Sequence, residues 1–223
     1  MATLAAAMAV PLALAQAPPR DASSIVRAVE ARYQAAKSLK AVFLERFSEN
    51  GKAIRAESGQ LYLSRGGRMR WEYESPEQKL FLTDGKNAWF YVPMDRTVTR
   101  AKMKESDDWR TPLALLVGKA KFSRFCSRVE ISSEKVARPG DVILRCSPKD
   151  KDYGFHELLV QVDTAARLTR VLIREAGGVE TEFQFGQWLE NPPLRPDFFQ
   201  FKAPPGVAIV EADSLRDVGG RQE

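Results

Sequence analysis

The chain has 223 residues, 44% of them hydrophobic, which is enough to bury one sizeable core, so we expect a single domain. Its 34 lysines and arginines exceed its 29 aspartates and glutamates by 5, an excess that suits an anionic membrane surface or nucleic acid and equally well a surface of scattered basic side chains. With His156 as the one histidine, the sequence gives no support for a metal site, and we expect His156 to be an ordinary strand residue.

The N-terminal segment is typical of an export signal. Residues 4–14 form an apolar, alanine-rich run that ends in Ala13-Leu14-Ala15-Gln16, with small residues where a signal peptidase cleaves. We expect a signal peptide over residues 1–15, with cleavage near Ala15 and Gln16, a mature domain over 21–212 and a tail over 213–223. The usual basic segment is absent. A disordered or helical extension is the alternative. No later run has the ~20 apolar residues of a membrane-spanning helix, and no nearby cysteine offers a site for a lipid anchor.

The mature chain is predicted to open with one amphipathic helix. Over residues 24–38, apolar side chains recur about one turn apart, namely Ile25, Val29, Tyr33 and Ala36. Asp21, Ser23 and Ser24 are available as caps. From Leu39 the period changes to two, and Asn50-Gly51 supplies a tight hairpin turn into a strand that runs to about Arg65.

Strand follows strand through most of the remaining sequence. Alternating segments are expected at residues 68–74, 80–83, 87–92, 158–162, 171–173, 179–185 and 198–202. Asp84-Gly85 and Gly177-Gly178 mark turns between them. The pattern predicts an antiparallel meander of about ten strands that continues to the end of the chain.

One segment is predicted to be helical instead. In residues 109–118, Thr111 is placed to cap a helix, Pro112 occupies the first turn and Gly118 ends it. Its apolar residues cover nearly every side, so the helix cannot be solvated and must lie against a large apolar surface. It is either a lid over the sheet or an ordinary core helix. Its members are Pro112, Leu113, Leu115, Leu116 and Val117.

A sheet curled around apolar side chains either fills its interior or leaves a cavity for an apolar ligand. Composition does not decide between the two, since aromatic and methionine side chains suit both. The residues expected to line this interior are Phe43, Leu61, Leu63, Met69, Trp71, Phe183 and Phe185.

The two cysteines, Cys126 and Cys146, allow a disulfide that closes a loop of about 20 residues if the protein is exported. Two buried free thiols are the alternative. No metal and no cofactor are expected.

Four sequence blocks resemble a known family. Gly59-Gln60-Leu61-Tyr62-Leu63-Ser64-Arg65 followed by Arg68-Met69-Arg70-Trp71 is similar to a stretch of the LolA family, the periplasmic carriers of outer-membrane lipoproteins. Pro76 with Thr83-Asp84-Gly85-Lys86 and Trp89-Phe90-Tyr91 resembles the next block. Thr111-Pro112-Leu113 resembles the start of the family's lid helix, and Phe199-Gln200-Phe201 with Pro204-Pro205-Gly206-Val207 its closing block.

The resemblance implies a mainly β fold with some helix: a half-open antiparallel β-barrel of about ten to eleven strands, with a helical lid over a hydrophobic cavity. It implies a periplasmic chaperone that shields the acyl chains of lipoproteins. The implied partners are acylated lipoproteins, an inner-membrane lipoprotein-releasing ABC transporter and an outer-membrane acceptor. It also implies that Arg65 points inward and latches backbone carbonyls of the lid, so that the empty protein stays closed. A carrier that hands over ligands in sequence is expected to be a monomer.

Two residues depart from the family pattern. Gly66 stands where proline is usual, and Glu45 stands where glutamine is usual, which places a charge near the inner face. These departures concern the lid geometry and the ligand preference rather than the fold.

Other function classes fit the sequence less well. A lipid or glycolipid carrier, or a lipoprotein-binding sensor of the same fold, is the main alternative. An enzyme fits poorly, because no nucleophile with a base partner can be assembled when His156 is the one histidine. Asp107-Asp108 and the pair Glu180 and Glu182 are typical of solvated carboxylates rather than of an acid–base pair. A nucleic-acid binder would use basic and stacking groups together, namely Arg65, Arg68, Arg70, Trp71 and Tyr73, but export argues against it.

Overall fold

The computed structural model describes residues 21–103, 116, 121–136, 138–195 and 197–212. Within these ranges, two α-helices, α1 (Ala22–Ala35) and α2 (Phe122–Phe125), accompany twelve strands. The strands are β1 (Ser38–Glu49), β2 (Lys52–Ser64), β3 (Arg68–Ser75), β4 (Lys79–Thr83), β5 (Asn87–Val92), β6 (Thr97–Lys102), β7 (Cys126–Ile131), β8 (Val142–Pro148), β9 (Glu157–Val162), β10 (Leu168–Arg174), β11 (Val179–Glu190) and β12 (Ala208–Ala212).

Helix α1 begins where its sequence provides a cap. The Asp21 carboxylate accepts a hydrogen bond from the Ser24 backbone N–H at 2.6 Å, which satisfies one of the free donors of the first turn. Ile25, Val29 and Tyr33 are buried, as their spacing predicts. The Tyr33 hydroxyl accepts a hydrogen bond from the Leu168 N–H at 2.9 Å, which fixes the helix to β10. Burial of this phenol raises the pKa of Tyr33 above its usual value.

All twelve strands form one open sheet in the order β12-β6-β5-β4-β3-β2-β1-β11-β10-β9-β8-β7. Neighbouring strands are antiparallel except at one edge, where β12 pairs with β6 in parallel. At the β1–β2 turn, Asn50 and Gly51 both have positive φ, 49° and 76°, which is the conformation that a two-residue hairpin requires. The half-open β architecture is confirmed, with one strand more than expected.

Two local expectations are wrong. Residues 197–199 form a turn, and no strand follows until β12, so the expected strand at 198–202 does not exist. Its aromatic side chains pack on the outer face of the sheet instead: the Phe198 ring lies 4.9 Å from that of Tyr62, and the Phe201 ring 5.7 Å from that of Tyr91. His156 lies in a bend just before β9 rather than in a strand, and its backbone N–H donates to the Arg174 carbonyl at 2.9 Å.

The main core lies between the inner face of the sheet and α1, because buried side chains of both belong to one continuous cluster. A small second cluster on the outer face joins Ile143, Leu159 and Leu172, with Val136 packed against it. Helix α1 therefore covers part of the inner face. None of the helices in the described ranges combines the length and apolar character needed to cross a membrane.

Candidate functional site

The register of β1, β2 and β3 arranges the inner face in rows of side chains that lie across the strands. The strands pair antiparallel without a shift over most of this region, so residues opposite one another share a row. From the end nearest the C-terminus of α1, the rows are Leu39, Leu63 and Met69; then Ala41, Leu61 and Trp71; then Phe43, Gly59 and Tyr73; then Glu45 and Glu57.

The seven side chains predicted to line the interior lie together on this face. Each is at most 6% exposed, and all belong to the main cluster. Trp71 lies at their centre, with its ring 4.8 Å from that of Phe43 and 5.5 Å from that of Phe183, both in edge-on geometry. The structure therefore places these residues on one continuous apolar surface, and their role as the lining of a ligand cavity stays a prediction.

The far end of the same face is polar. Glu45 is 6% exposed, and its carboxylate accepts a hydrogen bond from the Tyr73 hydroxyl at 2.7 Å. On β2, the carboxylate of the buried Glu57 lies 2.7 Å from the ammonium group of Lys79 on β4. The sequence indicated a charge at Glu45 but not the hydrogen bond to Tyr73, since that partner lies on β3 and no local pattern joins the two residues.

Gly59 permits the close approach of β2 and β3 on this face. A Cβ atom at this position would lie 1.8 Å from the Glu72 carbonyl oxygen. The pairing of β2 with β3 shifts register between Ser58 and Gly59. With no side chain at Gly59, the rings of Phe43 and Tyr73 meet across it at 5.0 Å.

The expected inward direction of Arg65 is wrong. β2 ends at Ser64, and Arg65 is exposed in the turn that follows, where Gly66 and Gly67 have φ values of 84° and 78° and redirect the chain. Its guanidinium donates to the carbonyls of Ala35 at 2.9 Å and Ala36 at 3.3 Å. Arg65 thus satisfies free acceptors at the C-terminus of α1, a favourable place for a cation.

Most of the predicted lid helix falls outside the described ranges, including Pro112, Leu113, Leu115 and Val117. Leu116 is described, is 1% exposed and belongs to the main cluster. It borders, with Leu63, Arg65 and Ala36, a gap of about 10 Å³. One residue of the predicted lid therefore lies beside the contact between Arg65 and α1.

The two cysteines are joined by a disulfide. Cys126 and Cys146 have Cα atoms 5.5 Å apart, and the bond links β7, an edge strand, to its neighbour β8. Over the described ranges, no group of three or more histidine, cysteine, aspartate or glutamate side chains is arranged to hold a metal ion.

The carboxylates considered for acid–base chemistry are ion-paired. Glu180 lies 2.8 Å from the Arg174 guanidinium, and Glu182 lies 2.5 Å from that of Arg170. Partial burial disfavours the charge of Glu182, but hydrogen bonds from Gln184 and Arg170 outweigh it and hold its pKa below the usual value. Asp107 and Asp108 lie outside the described ranges.

The residues considered for nucleic-acid binding lie on opposite faces. Trp71 and Tyr73 are buried on the inner face. Arg68 and Arg70 lie on the outer face, with their guanidinium groups 5.5 Å and 4.8 Å from the ring centres of Phe199 and Phe198. These groups do not form the shared stacking and basic surface that single-stranded nucleic acid requires.

Comparison with known proteins agrees with this architecture. The family model described as outer membrane lipoprotein carrier protein LolA matches residues 34–202. An outer-membrane lipoprotein carrier protein of Chromobacterium violaceum is 31% identical over 203 residues, which cover 91% of this chain and 94% of the relative. One from Nitrosomonas europaea is 30% identical over 195 residues, which cover 82% and 91%.

A solved structure shares the fold. The crystal structure of an uncharacterized conserved protein from Thermus thermophilus superposes with a TM-score of 0.55 at 14% identity, covering 86% of this chain and 99% of that one. The matched family region spans strands β1 to β11 and thus the whole inner face described above. The chain belongs to the LolA family of outer-membrane lipoprotein carrier proteins.

Proposed function

We propose that this protein is a periplasmic chaperone that shields the acyl chains of lipoproteins and delivers them to the outer membrane. The observation that carries the proposal is the continuous apolar inner face, lined by Phe43, Leu61, Leu63, Met69, Trp71, Phe183 and Phe185 and covered by α1. An export signal over residues 1–15 would bring the chain to the periplasm. A lipoprotein-releasing ABC transporter would load it, and an acceptor at the outer membrane would receive its cargo. The protein acts as a monomer, without catalysis or a cofactor.

Binding of an acyl chain to such a face has a large driving force. Each buried methylene contributes about 0.8 kcal/mol, so one long acyl chain contributes on the order of 10 kcal/mol. A carrier that realised all of this energy would not release its cargo. Part of the energy must therefore be offset by a change in the carrier itself.

Arg65 is suited to supply part of that offset. Ile25, Val29 and Tyr33 of α1 belong to the same buried cluster as the inner face, so a ligand on that face must displace them. Moving α1 breaks the hydrogen bonds from Arg65 to Ala35 and Ala36. The latch thus acts on the C-terminus of α1, and the cost of breaking it lowers the affinity for cargo.

Native mass spectrometry of the protein purified from the periplasm of cells that express a triacylated lipoprotein tests the proposal. We expect a fraction of the protein to carry the intact lipoprotein. Phospholipid or glycolipid in its place would favour a lipid carrier or a sensor of the same fold. Protein that stays empty when lipoprotein is supplied would mean that the inner face is only a hydrophobic core.

A further inference from the structure

The indole N–H of Trp71 is buried without a hydrogen-bond acceptor. The residue is 1% exposed, and within the described part of the chain no acceptor lies within reach of Nε1. Aromatic rings of Phe43 and Phe183 flank the indole. A buried donor loses its hydrogen bond to water and gains nothing in return, so such groups are rare in native proteins and call for an explanation.

Other polar groups of aromatic side chains in the same cluster have partners. The indole N–H of Trp188 donates to the Leu168 carbonyl at 2.9 Å, and the Tyr73 hydroxyl donates to Glu45 at 2.7 Å. The fold thus supplies acceptors to comparable donors around Trp71 but not to Trp71 itself.

Two more buried side-chain atoms of the described ranges lack a hydrogen bond, namely Gln60 Oε1 and Arg145 Nε. Both residues alternate with buried ones along their strands and so point to the outer face. Arg145 Nε also lies 3.0 Å from the Glu157 carboxylate, in an ion pair. The Trp71 N–H is therefore the unpaired donor on the inner face of the described sheet.

Trp71 lies within the apolar part of the inner face, close to the polar side chains of that face. It lies in the second row, beyond the apolar Leu39, Leu63 and Met69, and one row before Tyr73. Beyond Trp71, apolar and polar side chains share the rows: the next row holds Phe43, Phe185 and Tyr73, and the one after it holds Phe183 with Glu45 and Glu57. The indole thus places an unpaired donor on a mainly apolar surface, one row from the hydroxyl of Tyr73.

We infer that the Trp71 N–H donates a hydrogen bond to an acyl-ester carbonyl of the bound ligand. An ester carbonyl that enters an apolar site loses its hydrogen bonds to water. A hydrogen bond from the indole N–H replaces one of them and also gives the buried donor a partner. An ether linkage offers a much weaker acceptor and leaves the donor unpaired. The inference rests on the proposed function and adds one specific contact to it: a hydrogen bond from Trp71 to the ester linkage of the ligand, whether a lipoprotein or a phospholipid supplies that ester.

Competition between ester and ether lipids tests the inference. The probes are dipalmitoyl phosphatidylglycerol against its di-O-hexadecyl analogue, and a cysteine-linked dipalmitoylglyceryl peptide against its dialkyl analogue. Native mass spectrometry gives the ratio of bound ester to bound ether. We expect the wild type to prefer the ester at least about fivefold, the effect of one buried hydrogen bond. The ester-containing lipid that binds at the lower concentration identifies the source.

Two tryptophan variants show whether the ester preference comes from the Trp71 N–H or from the loss of any large indole ring. Trp71→Phe removes the unpaired donor and should bind ester and ether equally. Trp188→Phe removes a donor that already has an internal partner and should keep the preference. In the wild type, labelled with 15N at its four indole groups, one indole proton should shift downfield with the ester lipid and not with the ether. This measurement does not depend on the folding of a variant.

The outcomes separate this inference from the carrier proposal. Equal binding of ester and ether by the wild type, or a preference that survives in Trp71→Phe, would overturn the role of Trp71 and leave the carrier proposal intact. Failure of the wild type to bind any of the four lipids would overturn both.

Discussion

Gly59 occupies a position on β2 where any side chain would collide with the neighbouring strand. A Cβ atom there would lie 1.8 Å from a backbone oxygen, that of Glu72, and a backbone atom cannot move aside as a flexible side chain can. The conflict must be relieved by shifting β2 against β3. That shift would disturb the rings of Phe43 and Tyr73, which meet across this residue.

We therefore expect Gly59→Ala to lower the free energy of unfolding by about 3 kcal/mol, the upper range for overpacking. Urea denaturation measures the loss. Gly186→Ala is the matched control on β11, since its Cβ would be 3.5 Å from the Val42 side chain, an ordinary contact. If the two variants are equally stable, the close approach of β2 and β3 tolerates a side chain at Gly59, and the prediction is wrong.

Arg65 donates hydrogen bonds to two backbone carbonyls at the C-terminus of α1. Its side chain is exposed, so its hydrogen bonds contribute little to stability, and Arg65→Leu should lower the free energy of unfolding by about 1 kcal/mol or less. The variant should load lipoprotein readily and release it poorly, because opening no longer costs these bonds. A transfer assay to acceptor membranes measures the release.

Arg46→Leu serves as the control for Arg65, since Arg46 lies half-exposed on β1 and contacts Glu182 rather than α1. Its release of cargo should match that of the wild type. If Arg65→Leu also releases cargo at the wild-type rate, the latch is absent.

At the scale of whole elements, the sequence predicts correctly those strands whose turns and alternation are specified by neighbouring residues. The β1–β2 hairpin was predictable because Asn50-Gly51 dictates the turn and the strands alternate cleanly. The strand predicted at residues 198–202 was wrong, because the alternation of aromatic residues there reflects packing onto the outer face rather than pairing in the sheet. Four strands, β6, β7, β8 and β12, were not predicted. The pairing of β12 with β6 joins segments about 110 residues apart, whereas β6 and β7 each pair with a strand next to them in the chain, β5 and β8.

The disulfide joins β7, at the edge of the sheet, to β8. Among the described strands β7 has one neighbour, β8, so breaking the bond between Cys126 and Cys146 should loosen β7 first. We expect the Cys126→Ala/Cys146→Ala protein to lose about 3 kcal/mol of stability, as removal of a cross-link across about 20 residues predicts. Hydrogen exchange should accelerate in β7 while β1, β2 and β3 remain protected. Uniform acceleration across the sheet would contradict a local role.

The β9–β10 turn depends on an ionised carboxylate. Burial disfavours the charge of Asp163, but hydrogen bonds from the backbone and side chain of Arg167 and from the Ala165 N–H outweigh it and hold its pKa below the usual 3.8. Because the folded state lowers this pKa, the associated stability is present above about pH 4 and is lost as the pH falls through the folded value.

Asp163→Asn should therefore lower stability at neutral pH and reduce the loss of stability below pH 4. Thermal unfolding between pH 2 and pH 7 measures both effects. Curves for the wild type and the variant that stay parallel over this range would show that Asp163 does not supply the acid sensitivity.

For the molecule as a whole, the face of each strand residue was predictable, but the contacts between distant elements were not. Alternation alone placed Trp71 and Phe183 on the inner face, because a strand side chain has only two directions. The contact between Arg65 and α1, and the lack of an acceptor for Trp71, depend on the three-dimensional arrangement of segments that no local pattern describes.

Loading should change the molecule unevenly if α1 covers the binding face. We expect amide hydrogen exchange in α1 to become faster when lipoprotein binds, because Ile25, Val29 and Tyr33 lose their buried contacts. The central strands β1, β2 and β3 should keep their protection. The test compares the empty and loaded protein under identical conditions. Slower exchange in α1 on loading would mean that cargo binds without displacing this helix.

The sheet begins at β12 and ends at β7, and in the strand order these two do not pair. A closed barrel has a fixed circumference, since every strand is bonded on both sides and widening it means breaking a ladder. A sheet whose two outermost strands do not pair with each other can instead flatten or curl by small changes of twist between neighbours, with every hydrogen bond between its strands kept. The inner face of the described sheet can therefore change its curvature without losing the pairing between neighbouring strands.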